Sequence, residues 1–482
     1  MQMSYRDTLI HSAEIFDGTR MLGRRDVLLA NGRISELSAA GTHAPGSFSG
    51  QVVDGTDLLL SPGFTDLHCH LRDPGQTWKE DIRTGTAAAA AGGYTTVVCM
   101  PNTDPPVDRG PVADYIRDRA ARVGFCRVSP SGCLSLNRRG EALADLAALY
   151  GAGVRIYTDD GSDTLRSDVF MHAFEFLSML PGSRALIHTE VAELARGVMH
   201  EGRMSALLGH SGIDYLSEDL GTARTVLMAL ETGMPVQVTH MASHGALELV
   251  RFGKLREAQE GMPGLVTCDV THNHLLLTEH AIEKYGTQAK INPPLREERD
   301  RQALLAGIAD GTIDALVTDH APHTLDEKSQ ELNLAPFGFS GFETSFGLLN
   351  KHIVGNQTAG GEITLETILR LMTSGPADIL NGRREAWRQA RIPQMTKEAM
   401  RDFIPRSVDF SSGRIEAGEP ADLVLLDLEA VWQVDPKQFV SKGRNTPFTG
   451  WDCRGRAMLT ICGGRVTHSR IDGIEREEAV QA

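Results

Sequence analysis

The 482-residue chain has no Cys-x-x-Cys pair, no long apolar run and no excess of positive charge. Each absence excludes a class of protein. Its seven cysteines, at positions 69, 99, 126, 133, 268, 453 and 462, are odd in number and scattered, which argues against a disulfide framework or a thiolate zinc site and fits a reducing compartment. Nothing approaches the roughly 20 apolar residues of a membrane span. The opening MQMSYRDTLIHSAEIFDG lacks the basic start and apolar stretch of a signal peptide, so a cytoplasmic location is expected. Lysine and arginine number 48 against 63 acidic residues, a formal charge of −15, so neither nucleic acid nor an anionic membrane is an expected partner. What remains is ordinary for a folded enzyme: 41% hydrophobic and 23% charged residues, enough for one large domain and a small one.

Residues 1 to 62 read as short strands broken by turns, with Asn31-Gly32 as a hairpin signal. The same texture returns from 413 to 482, with Gly463-Gly464 as a second tight turn, so both chain ends are expected to build one small β-sandwich domain. Between them, over 63 to 380, eight β-rich runs alternate with helical stretches: GFTDLHCH, YTTVVCMPN, GFCRVSPSG, VRIYTDDG, ALIHTE, PVQVTH, LVTCDVTHNH and IDALVTDHAPH. Eight β/α units predict an α/β fold of the (β/α)8, TIM-like barrel type. Amphipathic spacing predicts helices over Pro111–Ala121, Arg139–Leu149 and Glu218–Thr232, and the small-residue run Ala87–Ala91 reads as a closely packed helix end.

The runs end in polar residues, at the mouth where such barrels keep their active sites. The first carries His68 and His70, which share one face of a strand because neighbours alternate. Alone, His-x-His is a common accident among 17 histidines. The fourth run adds Asp159-Asp160, the fifth His188, the sixth His240 and the eighth Asp319. Polar residues also cap strands for plain turn chemistry, but imidazoles and carboxylates at this many strand ends match a two-metal hydrolytic site, with zinc the expected occupant. Only one of Asp159 and Asp160 can face it.

On the motifs DLHCHLRDPG, CMPNTDPP, TDDG, KINPPLR, TDHAPHT and LAPFGFSGFET, in that order, nearly the whole chain resembles the amidohydrolase superfamily and, within it, the dihydroorotases that bridge their metals with aspartate. The resemblance implies a Zn2+ pair: His68, His70 and Asp319 on one ion, His188 and His240 on the other, Asp160 on both. It implies Asp319 as the catalytic acid/base and a substrate pocket of His70, Arg72, Asn102, Asn292, His323, Phe337 and Gly338. It implies reversible ring opening of dihydroorotate to N-carbamoyl-L-aspartate in pyrimidine (UMP) synthesis. As partners it implies a homo-oligomer, a dimer first, with association with aspartate transcarbamoylase as a further option. Many relatives bridge their metals with a carboxylated lysine from the fourth strand, and this chain has no lysine between Lys79 and Lys254, which excludes that bridge. Arg72 reads as the planar cation that pairs with a substrate carboxylate. The alternatives are a related cyclic-amide hydrolase (hydantoinase or allantoinase) or an inert dihydroorotase-like partner of aspartate transcarbamoylase.

Two stretches depart from the family pattern. Thr271-His272-Asn273-His274-Leu275 stands where relatives read Ser-Pro-His-His-Leu, and neither histidine is given a role. Residues 381–412 read as an inserted helical segment, with seven basic and three acidic residues between Arg383 and Arg406. Its plain reading is a solvated excursion, and its functional one a contact surface for another subunit.

Overall fold

The structure is a computed structural model that describes residues 6–162, 166–383, 385–391 and 410–477. The N-terminal strands are β1 (Thr8–Phe16), β2 (Met21–Ala30), β3 (Arg33–Ala39), β4 (Gln51–Asp54) and β5 (Leu59–Pro62). Apart from two short two-stranded pairs, the strands that follow are β6 (Phe64–Cys69), β7 (Tyr94–Cys99), β8 (Arg127–Pro130), β9 (Ile156–Tyr157), β10 (Arg184–Ile187), β11 (Val236–Val238), β12 (Val266–Thr271) and β13 (Ala315–Val317). The chain closes with β14 (Leu423–Gln433), β15 (Asp452–Cys462) and β16 (Arg465–Ser469).

The two chain ends share one sheet, in the order β16-β15-β14-β5-β1-β2-β3, with β4 parallel to β1. Both glycine-bearing turns are hairpins, β2 to β3 and β15 to β16. Their tips meet: a Cβ on Gly464 would lie 2.3 Å from the Cα of Gly32, so only glycine permits the approach. Alternation along β14 divides its side chains between two cores. Leu423 and Leu425 join Leu459 and Ile461 inside the sheet's own cluster, while Val424 and Leu426 face Phe64 and Tyr94 on the other side. The alanine-rich helix Ile82–Ala91, capped by Asp81 through Thr84 N, lies against this sheet, and Thr460 donates to Ala90 O at 2.7 Å.

Strands β6 to β13 pair in parallel in chain order. Single bridges from Gly132 to Tyr157 and from Cys69 to His320 join the two resulting sheets at both edges, so the pairing runs in a closed circuit. All seven cysteines are free and buried. No helix among the described residues is long and apolar enough to cross a membrane.

The helices Gly110–Val123 and Tyr215–Thr232 contain the first and third predicted spans, but Arg139–Leu149 is largely not helical. The helix there is only Leu146–Gly151, started by the Asp145 side chain on Ala148 N. Upstream, the backbone N–H groups of Leu134 and Ser135 donate to the Asp159 carboxylate, and Gly140 takes a left-handed φ of 69°. A buried carboxylate outside the segment therefore overrides its amphipathic spacing.

Of the expected insertion, residues 392–409 lie outside the described residues. What is described contradicts a solvated excursion. The helix Arg388–Arg391 docks beneath the strands, where Arg388 donates to the carbonyls of Leu177 and Leu180, each at 2.8 Å. Glu385 pairs with Arg184, at the start of β10, and with Arg388 at 3.4 Å, all three side chains under 10% exposed. Arg388 of this stretch is thus spent on buried carbonyls and one carboxylate. Removing one partner of such a buried network leaves charges uncompensated, so Glu385→Ala should lose about 3–5 kcal/mol of stability. Denaturant unfolding checks this, and an unchanged midpoint would show that Glu385 holds nothing.

Candidate metal centre and substrate pocket

Four imidazoles, from the C-terminal ends of β6, β10 and β11, converge on Asp160, which follows β9. Its Oδ1 lies 3.3 Å from His68 Nε2, 3.7 Å from His240 Nε2 and 3.9 Å from His188 Nδ1, and its Oδ2 lies 3.7 Å from His70 Nε2. Two donor sets able to hold a metal share this carboxylate: His68, His70 and Asp160, and Asp160, His188 and His240, with ligand atoms within 4.8 Å of one another. Asp319 Oδ1 stands 3.1 Å from His70 Nε2 and 3.6 Å from His68 Nε2. Asp159 turns the other way, onto Leu134 N, Ser135 N and the Ser135 hydroxyl. Alternation along the chain explains the division of labour between the two neighbouring acids.

A surrounding layer of hydrogen bonds fixes which nitrogen each imidazole offers. Thr239 Oγ1 donates to Asp269 at 3.0 Å and so accepts from His68 Nδ1, also at 3.0 Å. In its neutral form, the one that binds a metal, His68 therefore offers the Nε2 lone pair toward the centre, where that atom has no hydrogen-bond partner among the described residues. Asn102 does the same for His70: its Oδ1 accepts from Nδ1 at 3.0 Å while its amide donates to Asp160 Oδ2 at 3.2 Å. Asn292 Nδ2 lies 3.2 Å from His188 Nε2 and 2.9 Å from Glu190. Asp66 takes His68 N and Thr318 N, each at 3.1 Å, which ties β6 to the residue before Asp319.

Thr239, Asp269, Asp66 and Glu190 were not singled out by the sequence. A polar residue inside a strand-end run was the available signal. For Thr239 and Asp269 it stood in PVQVTH and LVTCDVTHNH, among residues read only as strand. His272 and His274 are both buried. His274 bonds Thr271 and Pro293 O, while neither ring nitrogen of His272 has a partner among the described residues.

Burial alone would neutralise these groups, and their mutual charges decide otherwise. It disfavours the charged form of His68, but Asp160 and then Asp319 outweigh it and raise His68 to about 9 in the metal-free protein. Burial likewise opposes ionised Asp160, yet the imidazoles, His68 foremost, hold it well below the usual carboxylate range. His240 is pushed by burial down to about 3 and stays neutral, as a ligand must. The backbone is also held in an unusual form: His240, Asp319 and Arg72 have φ of 41°, 46° and 57°, sparsely populated for residues other than glycine.

Above this centre lies a cavity of about 210 Å³, below the roughly 300–1,000 Å³ of drug-sized sites. His70, Arg72, Asn102, Asp160, His188, His240, Asn292, Asp319, His323, Phe337 and Gly338 all line it. Arg72 reaches Pro322 O at 3.4 Å and lies 3.2 Å from His323 Nε2, with no carboxylate within 4.0 Å among the described residues. Burial lowers its pKa to about 10, so it remains a cation at neutral pH.

A family model described as dihydro-orotase-like matches residues 57–246. The chain is 36% identical over 462 residues to a dihydroorotase of Citrifermentans bemidjiense, covering 95% of this chain and 99% of that one. It is 39% identical over 416 residues to a dihydroorotase of Brevibacillus brevis, covering 86% and 88%. Among solved structures, an L-hydantoinase (dihydropyrimidinase) from Arthrobacter aurescens superposes with a TM-score of 0.80 at 21% identity, covering 98% of each chain. A dihydropyrimidinase from Brevibacillus agri gives 0.77 at 17% identity, covering 98% of this chain and 97% of that one. The solved structures share the α/β fold. Identity of 36–39%, sustained across nearly the full length of the sequence relatives, goes further: the chain belongs to the dihydroorotase family.

Proposed function

We propose that the chain is a zinc-dependent dihydroorotase that interconverts (S)-dihydroorotate and N-carbamoyl-L-aspartate in pyrimidine (UMP) synthesis. We read the closed circuit of parallel strands as a (β/α)8 barrel of the metal-dependent hydrolase type over residues 63–380. The sheet built from 1–62 and 413–482 is read as a small β-sandwich, and 381–412 as an insertion between them. The observation that carries the functional reading is one cavity in which a carboxylate-centred set of metal donors faces a guanidinium with no carboxylate within 4.0 Å among the described residues. A substrate that fills it needs a scissile polar bond at one end and a carboxylate at the other. A cyclic amide carrying a carboxylate meets both conditions.

The donors suit a pair of ions: imidazoles on either side of one ionised carboxylate, with His68 Nε2 left unbonded at the centre. His68, His70 and Asp319 would hold one, His188 and His240 the other, and Asp160 both. Zinc suits such a nitrogen and oxygen set. When bound, the ions supply Lewis-acid polarisation of the ring carbonyl and acidify a water toward a pKa of about 7.

The protein's own groups do the rest. Arg72 pairs two donors with the substrate carboxylate, and Asn102, Asn292 and His323 complete the polar wall. Asp319 has its charged form opposed by burial but favoured more strongly by His70 and His68, so it is ionised and able to take a proton. It accepts the proton of the attacking water and returns it to the ring nitrogen as the amide bond breaks. Cytoplasmic location, homodimer formation and association with aspartate transcarbamoylase belong to the same proposal and rest on the family alone.

Asp319→Asn should lower kcat by roughly 10²–10⁴-fold in a folded protein, the usual contribution of an acid/base. Wild-type turnover in that variant would remove Asp319 from the reaction. Arg72→Ala should raise KM for dihydroorotate by roughly 10–100-fold, the loss of a charged hydrogen-bonded pair, while leaving any residual activity on an uncharged hydantoin unchanged. Equal effects on both substrates would show that Arg72 does not bind the carboxylate and would favour a hydantoinase-type activity.

A further inference from the structure

Two lysines, Lys290 and Lys328, are almost completely buried, 2% and 1% exposed, and neither has a carboxylate within 4.0 Å among the described residues. Lysine is rarely buried without a partner, because its ammonium loses water. Here the water is replaced by backbone carbonyls of one short stretch. Lys328 Nζ donates to Gly338 O at 2.9 Å, Pro336 O at 3.0 Å and Lys290 O at 3.4 Å, which uses all three of its hydrogens. Lys290 Nζ donates to Leu332 O and Ala335 O, both at 2.6 Å, and lies 4.4 Å over the Phe337 ring.

This stretch forms one wall of the substrate cavity. The Gly338 N–H is taken by Lys290 O at 2.8 Å, and its carbonyl is shared between Lys328 and Asn445. Its φ of 110°, with a Cβ position 2.4 Å from the Ala321 Cβ, restricts the site to glycine. Both polar groups of Gly338 are thus consumed inside the protein, and the Phe337 N–H is left with no acceptor among the described residues. The Phe337 carbonyl accepts from His323 Nε2 at 2.8 Å. That bond spends the His323 proton on the loop, so the neighbouring Arg72 Nη2, 3.2 Å away, keeps its hydrogens for a ligand.

We propose that Lys290 and Lys328 are positioning residues: a pair of buried amines whose Nζ donors hold the carbonyls of residues 332–338 to one side and so fix the Phe337 N–H, His323 and, through it, Arg72 for the substrate. The inference rests on the dihydroorotase reading for its substrate and on the geometry alone for the clamp. It assigns the lysines to ground-state binding, since neither touches the metal donors or the reacting atoms.

The test is Lys328→Met, which keeps the shape and removes every donor, with Lys290→Met as the second variant should the first not fold. Each is assayed with dihydroorotate for kcat and KM, with metal content per chain and amide hydrogen exchange over residues 332–340 measured alongside. The expected result is KM raised roughly tenfold or more with kcat within about threefold, metal content unchanged and loop exchange faster than in the wild type. Wild-type KM together with wild-type exchange would overturn the proposal, as would a fall in kcat matched by lost metal, which would make the lysines general supports of the centre. If the wild type turned over no dihydroorotate, the functional reading would fail. Exchange would still decide the clamp: faster in the variants supports it, and unchanged refutes it.

Discussion

The site depends on one buried anion. Asp160 is surrounded by four imidazoles from three other strand ends, and among the described residues no other carboxylate approaches all of them. Burying a carboxylate costs several kcal/mol unless charges or donors replace its lost water. In the metal-free protein His68 answers that need by holding a proton up to about 9. The same electrostatic requirement accounts for the Asn102 amide directed at Asp160, while burial keeps His240 neutral.

Around this anion the fold supplies rigidity. Asp66 ties the first strand of the circuit to the last through His68 N and Thr318 N, so His68 and Asp319 cannot drift apart. Thr239 and Asp269 orient His68 from the sixth and seventh strands. Left-handed backbone at Arg72, His240 and Asp319 costs roughly 1–3 kcal/mol each and persists because these contacts over-determine it. The opposite wall is built differently, with buried lysine Nζ groups gathering backbone carbonyls and the Phe337 N–H left without an acceptor among the described residues. One side of the cavity thus concentrates negative charge and the other positive, and a substrate polarised in the complementary sense would satisfy both.

Much of this was legible in the residues. Alternation placed His68 and His70 on one face and separated Asp159 from Asp160, and the eight apolar runs alternating with helical stretches gave the strands. Asn31-Gly32 and Gly463-Gly464 announced their hairpins. What failed to show was anything depending on a distant partner. Arg139–Leu149 has helical spacing, but the chain before it wraps the Asp159 carboxylate. Arg388 reads as a solvated charge until the carbonyls of Leu177 and Leu180 are placed around it. Thr239 and Asp269 look like strand residues because their partners come from other strands. Lys290 and Lys328 lie in quoted or neighbouring motifs, yet nothing local reveals that both are buried on the same loop.

The most direct measurement of the central claim is metal stoichiometry, by elemental analysis, of the wild type and of Asp160→Ala prepared in parallel. If Asp160 is the anion shared by both half-sites, the wild type should hold about two zinc ions per chain and the variant should lose most of both while keeping its fold. Retention of two ions in the variant, or a single ion in the fully loaded wild type, would contradict a centre organised around Asp160.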